Sequence, residues 1–163
     1  PSAVCEDGSL YLGGMGAATN FKWIEKAGVK AIVTAAAGLE IFGPRWTKGK
    51  KKVQEKLGVE FLQLNLVDSL EQRLTVDMLR TALSFIHKSR KSGQKVLVHC
   101  AQGKSRSTSI VIAYLLATCH CPDVESALRH VRKARAMAKP NASFMEQLHM
   151  LHRSGSLRFL LTQ

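Results

Sequence analysis

The sequence predicts a single-domain α/β fold with a central, largely parallel twisted sheet flanked by helices. The first observation is a series of short apolar segments, such as residues 29–35 and 95–98, that are typical of buried strands. The second is that amphipathic helix patterns separate these segments, as in the crossover connections between parallel strands. The third is the length of 163 residues, which suffices for one sizeable core but is short for two typical domains. We therefore expect residues 1–163 to form one domain.

The first half of the chain alternates predicted strands and helices until a basic segment interrupts the pattern. We predict a strand over residues 9–12, a helix over residues 17–26 that ends at Gly28, and a strand over residues 29–35. Residues 43–56 contain Trp46 and a run of lysines between positions 48 and 52, with little periodicity. We expect this stretch to be an exposed basic loop or insertion that includes one short helix at most.

The second half of the chain predicts two more strands and four helices. Residues 59–66 alternate apolar and polar positions, which indicates a strand with one partly exposed face. Thr75 is a candidate N-cap of a helix that ends at Gly93. A strand over residues 95–98 precedes an almost wholly apolar helix over residues 107–118, which we place at the centre of the core. Pro122 suits the first position of the next helix, and Asn141 suits the N-cap of the last.

Composition indicates a soluble globular protein that attracts anionic partners. The formal net charge of +12 favours phosphorylated proteins, lipid head groups or nucleic acid, and charge alone does not choose among them. No apolar run reaches the roughly 18 residues that suggest a membrane span. The cysteines at positions 5, 100, 119 and 121 lack the regular spacing of a disulfide framework, which favours a reducing compartment. We expect the cytoplasm, with the nucleus as the alternative.

The segment VLVHCAQGKSRSTS, residues 96–109, places Cys100 and Arg106 in a turn between a strand and a helix. A turn that enters a helix N-terminus presents unpaired backbone N–H groups, and the helix dipole adds partial positive charge there. Gly103 permits tight curvature, so we expect these N–H groups to surround a phosphoryl group. The predicted phosphate-binding loop consists of Ala101, Gln102, Gly103, Lys104, Ser105 and Arg106.

Cys100 is the candidate nucleophile at the base of this loop. The positive field that binds phosphate also lowers the pKa of a cysteine thiol, and the thiolate is the reactive form. Arg106 can bind two phosphoryl oxygens at once through its planar guanidinium group. The departing oxygen needs a proton, and Asp68 lies just past a predicted strand end, where a catalytic acid is well placed. Glu71 and Asp77 are the rival carboxylates.

The residues HCAQGKSRS match the signature of the cysteine-dependent protein phosphatases, in which His-Cys is followed by five residues, Arg, and Ser or Thr. The chain resembles the dual-specificity branch of that family over most of its length. Further matching segments are Tyr11-Leu12-Gly13, Val67-Asp68-Ser69 and Pro140-Asn141. The resemblance implies a phosphatase-like α/β fold. It also implies that phosphotyrosine and phosphoserine/threonine in proteins are dephosphorylated through a phosphocysteine intermediate.

The resemblance assigns a role to each site residue. Cys100 is the nucleophile, Arg106 binds phosphate, Asp68 is the general acid, and Ser107 helps the cysteine leave in the hydrolysis step. We expect His99 to be a structural residue that orients the turn, with a catalytic base as the alternative. No metal or organic cofactor is implied, and the implied partners are phosphorylated proteins, including acidic ones, rather than nucleic acid.

Several alternatives are consistent with the same residues. Lys104 resembles the phosphoinositide-phosphatase branch, and the basic residues 43–56 suit docking to a substrate or a membrane, so a phosphoinositide or other non-protein phosphate is an alternative substrate. A phosphate-binding module without catalysis and a cysteine-based sulfur or arsenate enzyme are further alternatives. The segment Cys119-His120-Cys121 is predicted to be a helix end rather than a metal site.

Overall fold

The computed structural model describes residues 1–161, which form a five-stranded sheet between two layers of helices. The strands are β1 (Ser2–Ala3), β2 (Leu10–Gly13), β3 (Val29–Ala35), β4 (Glu60–Leu64) and β5 (Lys95–His99). Their order across the sheet is β1-β2-β5-β3-β4. β1 pairs antiparallel with β2, and all other neighbours pair in parallel. The sheet confirms the predicted α/β class with a largely parallel sheet.

Helices cover both faces of this sheet. They are α1 (Met15–Ala18), α2 (Phe21–Ala27), α3 (Pro44–Leu57), α4 (Val76–Lys91), α5 (Arg106–Ala117), α6 (Val124–Ala134), α7 (Ala142–Arg153) and α8 (Ser156–Phe159), with a 3₁₀ helix over Leu39–Phe42. Buried side chains of α1, α2 and α3 form one apolar layer, and those of α4 to α8 form the other. Among residues 1–161, no helix has the length and apolar character needed to cross a membrane.

β5 supplies side chains to both apolar layers. Val96 and Val98 pack in the layer of α4 to α8, whereas Leu97 packs in the layer of α1 to α3. Successive side chains of a strand point to opposite faces, so the part of a strand that lies between two helical layers is apolar at consecutive positions. This explains the unbroken apolar run that predicted β5.

α5 is the central helix, as predicted. Every residue from Ser107 to Ala117 is buried, and the helix packs against α4, α6, α7 and α8 as well as the sheet. The predicted N-caps of two of these neighbours are also confirmed. The Thr75 hydroxyl accepts a hydrogen bond from the Met78 N–H at 3.2 Å to begin α4, and Asn141 caps α7. The N-terminus of α5 is therefore fixed within a rigid core.

The helix predicted over residues 17–26 is wrong in its extent, because two short helices occupy this region. α1 ends at Ala18, and Asn20 begins α2 by accepting a hydrogen bond from the Trp23 N–H at 3.1 Å. An asparagine side chain competes with the helix for backbone hydrogen bonds, which favours a cap over a continuous helix. α2 ends as predicted at Gly28, which has a φ of 75°.

The largest correction concerns residues 43–56, which form most of helix α3 rather than an exposed basic loop or insertion. Pro44 is the first residue of this helix, where its missing N–H removes no helical hydrogen bond. Trp46 and Val53 are its buried residues. Two buried positions in so long a helix leave a weak apolar stripe, so the periodicity is hard to detect among the lysines. Trp46 is only 2% exposed, so it belongs to the core and not to a docking surface.

α6 begins later than Pro122 suggests. Its N-cap is Asp123, which accepts a hydrogen bond from the Ser126 N–H at 2.8 Å and donates its own N–H to the Ser126 hydroxyl at 3.3 Å. This reciprocal pair satisfies two helix-end donors, so Pro122 lies before the cap. The inward face of α6 is buried at Val124, Ala127, Leu128 and Val131.

The segment Cys119-His120-Cys121 closes the C-terminal end of α5. The His120 N–H donates a hydrogen bond to the carbonyl of Leu115 at 2.9 Å. Within the part of the chain that the structure describes, no group of three or more His, Cys, Asp or Glu side chains could hold a metal ion. The cysteines at positions 5, 100, 119 and 121 are all free thiols.

Candidate active site

Cys100 lies at the carboxyl end of the parallel sheet. It follows directly after His99, the last residue of β5, and residues 101–105 lead from it into α5. β5 lies in the sheet between β2 and β3. In open α/β sheets ligands bind at this carboxyl edge, and the N-terminus of α5 adds partial positive charge. The location therefore favours an anionic ligand.

The carbonyl groups of residues 101–105 in the phosphate-binding loop all accept hydrogen bonds. The donors are the Met15 N–H to Ala101 (2.9 Å), Arg135 Nη2 to Gln102 (2.8 Å), Arg135 Nε to Gly103 (2.8 Å), the Lys139 N–H to Lys104 (2.7 Å) and the Ser109 N–H to Ser105 (2.9 Å). Anchoring the carbonyls in this way leaves the loop N–H groups to face the ligand. The Gly103 N–H, for example, donates to Cys100 Sγ at 3.2 Å.

A cavity of about 190 Å³ brings the predicted site residues together. Its lining consists of Asp68, Cys100, Ala101, Gln102, Lys104, Ser105 and Arg106. A larger cavity of about 500 Å³ lies between the start of α4 and helix α7, and none of the predicted site residues lines it. The smaller cavity contains the nucleophile, the arginine and the carboxylate that the chemistry requires, so we identify it as the candidate active site.

Cys100 is buried and hydrogen-bonded in a way that favours its thiolate. Burial raises the pKa of the thiol, but hydrogen bonds from the Ser107 hydroxyl and from the N–H groups of Ser107, Lys104 and Gly103 outweigh it, so the pKa is lowered overall. Ser107 Oγ lies 3.1 Å from Sγ. Ser107 is thus placed to donate a hydrogen bond to the sulfur whenever the sulfur is negatively charged.

His99 is fully buried, and both of its ring nitrogens have partners. Nδ1 lies 3.1 Å from the Cys100 carbonyl oxygen, and Nε2 lies 2.8 Å from Thr34 Oγ1. A carbonyl oxygen only accepts, so Nδ1 carries the proton and the Thr34 hydroxyl donates to Nε2. Burial lowers the pKa of His99 to about 4, and the ring is neutral at neutral pH. The geometry favours a structural role, because both nitrogens are already engaged.

His99 has two supports that the sequence did not indicate, Thr34 and Trp46. The Trp46 ring lies 5.4 Å from the His99 ring, centroid to centroid, and Lys50 Nζ lies 5.7 Å from the Trp46 ring. Helix α3 therefore packs beside the residue that orients the loop. These contacts join residues that are far apart in the chain, so no local pattern predicts them. The one sequence signal for a buried contact was the presence of a tryptophan in an otherwise basic segment.

Arg106 is the half-buried first residue of α5. Its Nη1 donates a hydrogen bond to the Leu66 carbonyl at 3.3 Å, which ties the guanidinium to the segment after β4. A guanidinium carries five N–H donors, so this contact leaves others for phosphoryl oxygens. The structure therefore places Arg106 where it can close the ring of donors around a bound phosphate.

Asp68 lines the same cavity from the segment that follows β4. Its Oδ1 accepts a hydrogen bond from Asn141 Nδ2 at 3.0 Å. The rival carboxylates lie elsewhere, because Asp77 pairs with Arg80 on α4 at 3.0 Å and Glu71 is not among the lining residues. The geometry favours Asp68 as the proton donor.

Arg135 and Asn141 shape the site without lining it, and neither was singled out for this role from the sequence. Arg135 donates to two successive loop carbonyls, whereas Asn141 contacts both the acid and the loop. Asn141 was predicted only as a helix cap. Its second function depends on a contact with a residue far away in sequence, for which the local pattern gives no signal.

The first prediction concerns Gly103, whose replacement by alanine should destabilise the loop more than backbone strain alone explains. Gly103 has a φ of 70°, and a Cβ there would lie 2.5 Å from the Gly13 carbonyl oxygen and 2.8 Å from Arg135 Nη2. The left-handed conformation costs alanine about 1–2 kcal/mol, and the contact with Gly13 adds to this cost. Denaturant unfolding measures the loss of stability, and calorimetry measures the affinity of the altered loop for inorganic phosphate.

Gly28→Ala is the matched control for this prediction. Gly28 also has a positive φ of 75°, but a Cβ there would meet no atom within 4 Å. We expect Gly28→Ala to show the strain cost with unchanged phosphate binding. Equal destabilisation by the two variants, with phosphate binding intact in both, would contradict the packing of the loop against Gly13.

Comparison with protein families and curated proteins identifies relatives of the whole domain. The model of the family described as "Dual specificity phosphatase, catalytic domain" matches residues 10–154. Dual specificity protein phosphatase 1 of Arabidopsis thaliana is 34% identical over 145 residues, which are 89% of this chain and 66% of that protein. Dual specificity protein phosphatase 26 of Rattus norvegicus is 35% identical over 145 residues, which are 88% of this chain and 64% of that protein. The chain spans just under two thirds of the length of these relatives.

Solved structures show the same fold. The human tyrosine phosphatase-like serine/threonine/tyrosine-interacting protein superposes with a TM-score of 0.80 at 26% identity, covering 94% of this chain and 96% of that chain. The Yvh1 phosphatase domain from Chaetomium thermophilum superposes with a TM-score of 0.79 at 26% identity, covering 96% of this chain and 98% of that chain. The match extends over nearly the full length of both.

Proposed function

The chain belongs to the dual specificity phosphatase family, and we propose that it hydrolyses phosphotyrosine and phosphoserine/threonine in proteins through a phosphocysteine intermediate. The single observation that carries this proposal is the environment of Cys100. Its sulfur accepts the Gly103 N–H at 3.2 Å and lies 3.1 Å from the Ser107 hydroxyl, and the pKa of the thiol is lowered despite its burial. A thiolate at the base of a phosphate-binding loop is a nucleophile aimed at phosphorus.

The first step transfers the phosphoryl group to sulfur. The loop N–H groups and Arg106 bind the three non-bridging oxygens, and the Cys100 thiolate attacks phosphorus opposite the leaving oxygen. The S–P bond forms as the P–O bond breaks, and Asp68 gives its proton to the departing oxygen. The products are a phosphocysteine and the free tyrosine, serine or threonine side chain.

The second step hydrolyses the phosphocysteine. Asp68, now ionised, takes a proton from a water molecule that attacks phosphorus, and the S–P bond breaks. The sulfur leaves as a thiolate, which the Ser107 hydroxyl stabilises by donating a hydrogen bond across the 3.1 Å separation. Inorganic phosphate departs and the starting state returns. Each step uses only residues of this chain and water.

We further propose that residues 1–163 act as one catalytic domain in the cytoplasm, with the nucleus as the alternative location. The free thiols, including the exposed Cys119, suit a reducing compartment. The lysines of helix α3 give the surface a basic character that suits acidic phosphoproteins. The phosphoinositide alternative depends on Lys104 and on the same lysines of α3, which remain largely exposed. The similarity to curated protein phosphatases favours the protein substrate.

The second prediction is that Asp68→Asn slows hydrolysis in proportion to the basicity of the leaving group. Asparagine has the same shape as aspartate and keeps an oxygen that can accept the hydrogen bond from Asn141, but it has no acidic proton. We expect kcat/KM to fall about 100-fold for a phosphotyrosine peptide and less than about tenfold for p-nitrophenyl phosphate, whose leaving group needs little protonation. The measurement is kcat/KM for phosphotyrosine and phosphothreonine peptides, p-nitrophenyl phosphate and a short-chain phosphoinositide, all under reducing conditions.

Asp77→Asn is the matched control, because it removes a carboxylate that pairs with Arg80 on α4 and does not line the active-site cavity. It should leave every rate unchanged. Equal slowing of all substrates by Asp68→Asn would count against its role as the acid. Faster turnover of the phosphoinositide than of any phosphopeptide would favour the lipid alternative. An inactive wild-type protein would favour a phosphate-binding module.

A further inference from the structure

Asn141 connects three parts of the site although it does not line the cavity. Its Oδ1 accepts a hydrogen bond from the Phe144 N–H at 2.9 Å and so caps α7. Its Nδ2 donates to Asp68 Oδ1 at 3.0 Å and to the Ser69 carbonyl at 3.2 Å. Its backbone N–H donates to Ser105 Oγ in the phosphate-binding loop at 2.8 Å. One residue therefore contacts the acid, the loop and a core helix.

These partners fix the orientation of the Asn141 side-chain amide. The Ser69 carbonyl offers it only an acceptor, and the Phe144 N–H offers it only a donor. Rotating the amide by half a turn would set Oδ1 against the Ser69 carbonyl oxygen and Nδ2 against the Phe144 N–H. One orientation satisfies all three contacts, so the amide presents both of its hydrogens to the segment that carries the acid.

We propose that Asn141 is a positioning residue that holds Asp68 in place to protonate the leaving group, an inference that rests on the proposed role of Asp68 as general acid. The amide donates to Oδ1 of Asp68. The unprotonated oxygen of a neutral carboxyl group is its stronger acceptor, so the acidic proton is carried by Oδ2. Asn141 thus selects both the rotamer of Asp68 and the oxygen that carries its proton.

Asp68 needs the hydrogen bond from Asn141 because its side chain is exposed and lies in a segment without regular secondary structure between β4 and α4. An exposed side chain samples several rotamers, and restricting it before the reaction removes that entropy from the barrier. Helix α7 holds Asn141 firmly, since Phe144 and Leu148 of this helix are fully buried. The acid is therefore tied to the core through a single amide.

A second contact from α7 holds the same segment without touching the acid. Gln147 accepts the Leu74 N–H at 2.8 Å and donates to the Gln72 carbonyl at 2.9 Å. The chain after Asp68 is thus fixed independently of Asn141. Removing the Asn141 amide is expected to release the carboxyl group while the rest of the segment stays attached to α7.

The test is Asn141→Ser, compared with Asn20→Ser as the matched control. Serine keeps a side-chain oxygen for the N-cap and keeps the backbone N–H, but it lacks both amide donors. We expect kcat/KM to fall about tenfold for a phosphotyrosine peptide and less than about twofold for p-nitrophenyl phosphate. Asn20→Ser makes the same change at the N-cap of α2, where Asn20 accepts the Trp23 N–H. Asn20→Ser should leave the kinetics unchanged, and it should shift the denaturation midpoint less than Asn141→Ser, which also loses two donated hydrogen bonds.

The double variant Asp68→Asn, Asn141→Ser separates positioning from a general structural effect. If Asn141 acts through Asp68, adding Asn141→Ser to Asp68→Asn causes no further loss. Three results would each overturn the inference. Asn141→Ser could lower kcat/KM by a similar factor for both substrates, it could lower kcat/KM by its full factor in the Asp68→Asn background, or it could leave the kinetics unchanged. If the loss of kcat/KM caused by Asp68→Asn did not depend on the leaving group, the role of Asp68 as general acid would be refuted. The positioning role of Asn141 would then be refuted as well. That outcome is distinct from a failure confined to Asn141.

Discussion

Replacing Cys100 with serine should lower kcat/KM for a phosphotyrosine peptide by about 10⁴-fold or more, because the nucleophile is lost. A serine hydroxyl stays protonated at neutral pH, whereas the pKa of Cys100 is lowered despite burial by hydrogen bonds from Ser107 and the loop N–H groups. His99 cannot serve as a base for the new hydroxyl, since its nitrogens contact Thr34 and the Cys100 carbonyl. Steady-state kinetics under reducing conditions measure the loss.

Binding of inorganic phosphate to Cys100→Ser provides the internal check on this variant. The loop N–H groups and Arg106 do not depend on sulfur, so we expect phosphate affinity within about tenfold of the wild type. Cys119→Ser is the matched control, because Cys119 is a free and exposed thiol outside the cavity. It should leave turnover unchanged. Near-normal turnover by Cys100→Ser would refute a cysteine nucleophile.

Arg106→Lys should cause the second-largest loss, about 10³-fold in kcat/KM, although it preserves the charge. The planar guanidinium can bind two phosphoryl oxygens while one nitrogen contacts the Leu66 carbonyl at 3.3 Å. An ammonium group is a point charge and cannot reproduce that fork. Charge on the equatorial oxygens shifts during transfer, so we expect kcat to fall more than KM rises. Steady-state kinetics on the phosphotyrosine peptide separate the two parameters.

Arg80→Lys is the matched control for the arginine prediction. Arg80 lies on α4 and pairs with Asp77 at 3.0 Å, away from the candidate active site. The same change of side chain there should leave kcat and KM unaltered. An Arg106→Lys variant with wild-type kcat would mean that bidentate binding of phosphate by Arg106 contributes nothing to the transition state.

The parts of the fold that sequence could predict are those in which local pattern and tertiary environment agree. Residues 96–98 of β5 and residues 110–117 of α5 are continuously apolar because they lie inside the molecule, so their burial is visible in the sequence. Helix α3 was missed because it buries only Trp46 and Val53, which leaves little periodicity. The break between α1 and α2 was missed because one residue, Asn20, decides it.

The residues of the candidate site also divide into those that the sequence predicts and those that it does not. Cys100, the loop and Arg106 are contiguous in the chain, so their chemistry follows from spacing and helix-terminus physics alone. Asp68 was predicted from its position after a strand, because carboxyl ends of parallel strands share one edge of the sheet. The supporting residues act through contacts with residues far away in the chain, which no local pattern marks; they are Thr34, Trp46, Arg135 and Asn141.

The most direct test of the proposed chemistry is to intercept the phosphoenzyme. Wild-type protein and Ser107→Ala are mixed with excess phosphotyrosine peptide, quenched in acid during turnover, and digested for mass spectrometry. We expect one phosphoryl group on the peptide that contains Cys100, and more of it in Ser107→Ala, because the leaving thiolate has lost its hydrogen bond. Cys100→Ser should yield none. A phosphoryl group on a different residue, or turnover by Ser107→Ala with no phosphorylated Cys100, would contradict a cysteine nucleophile.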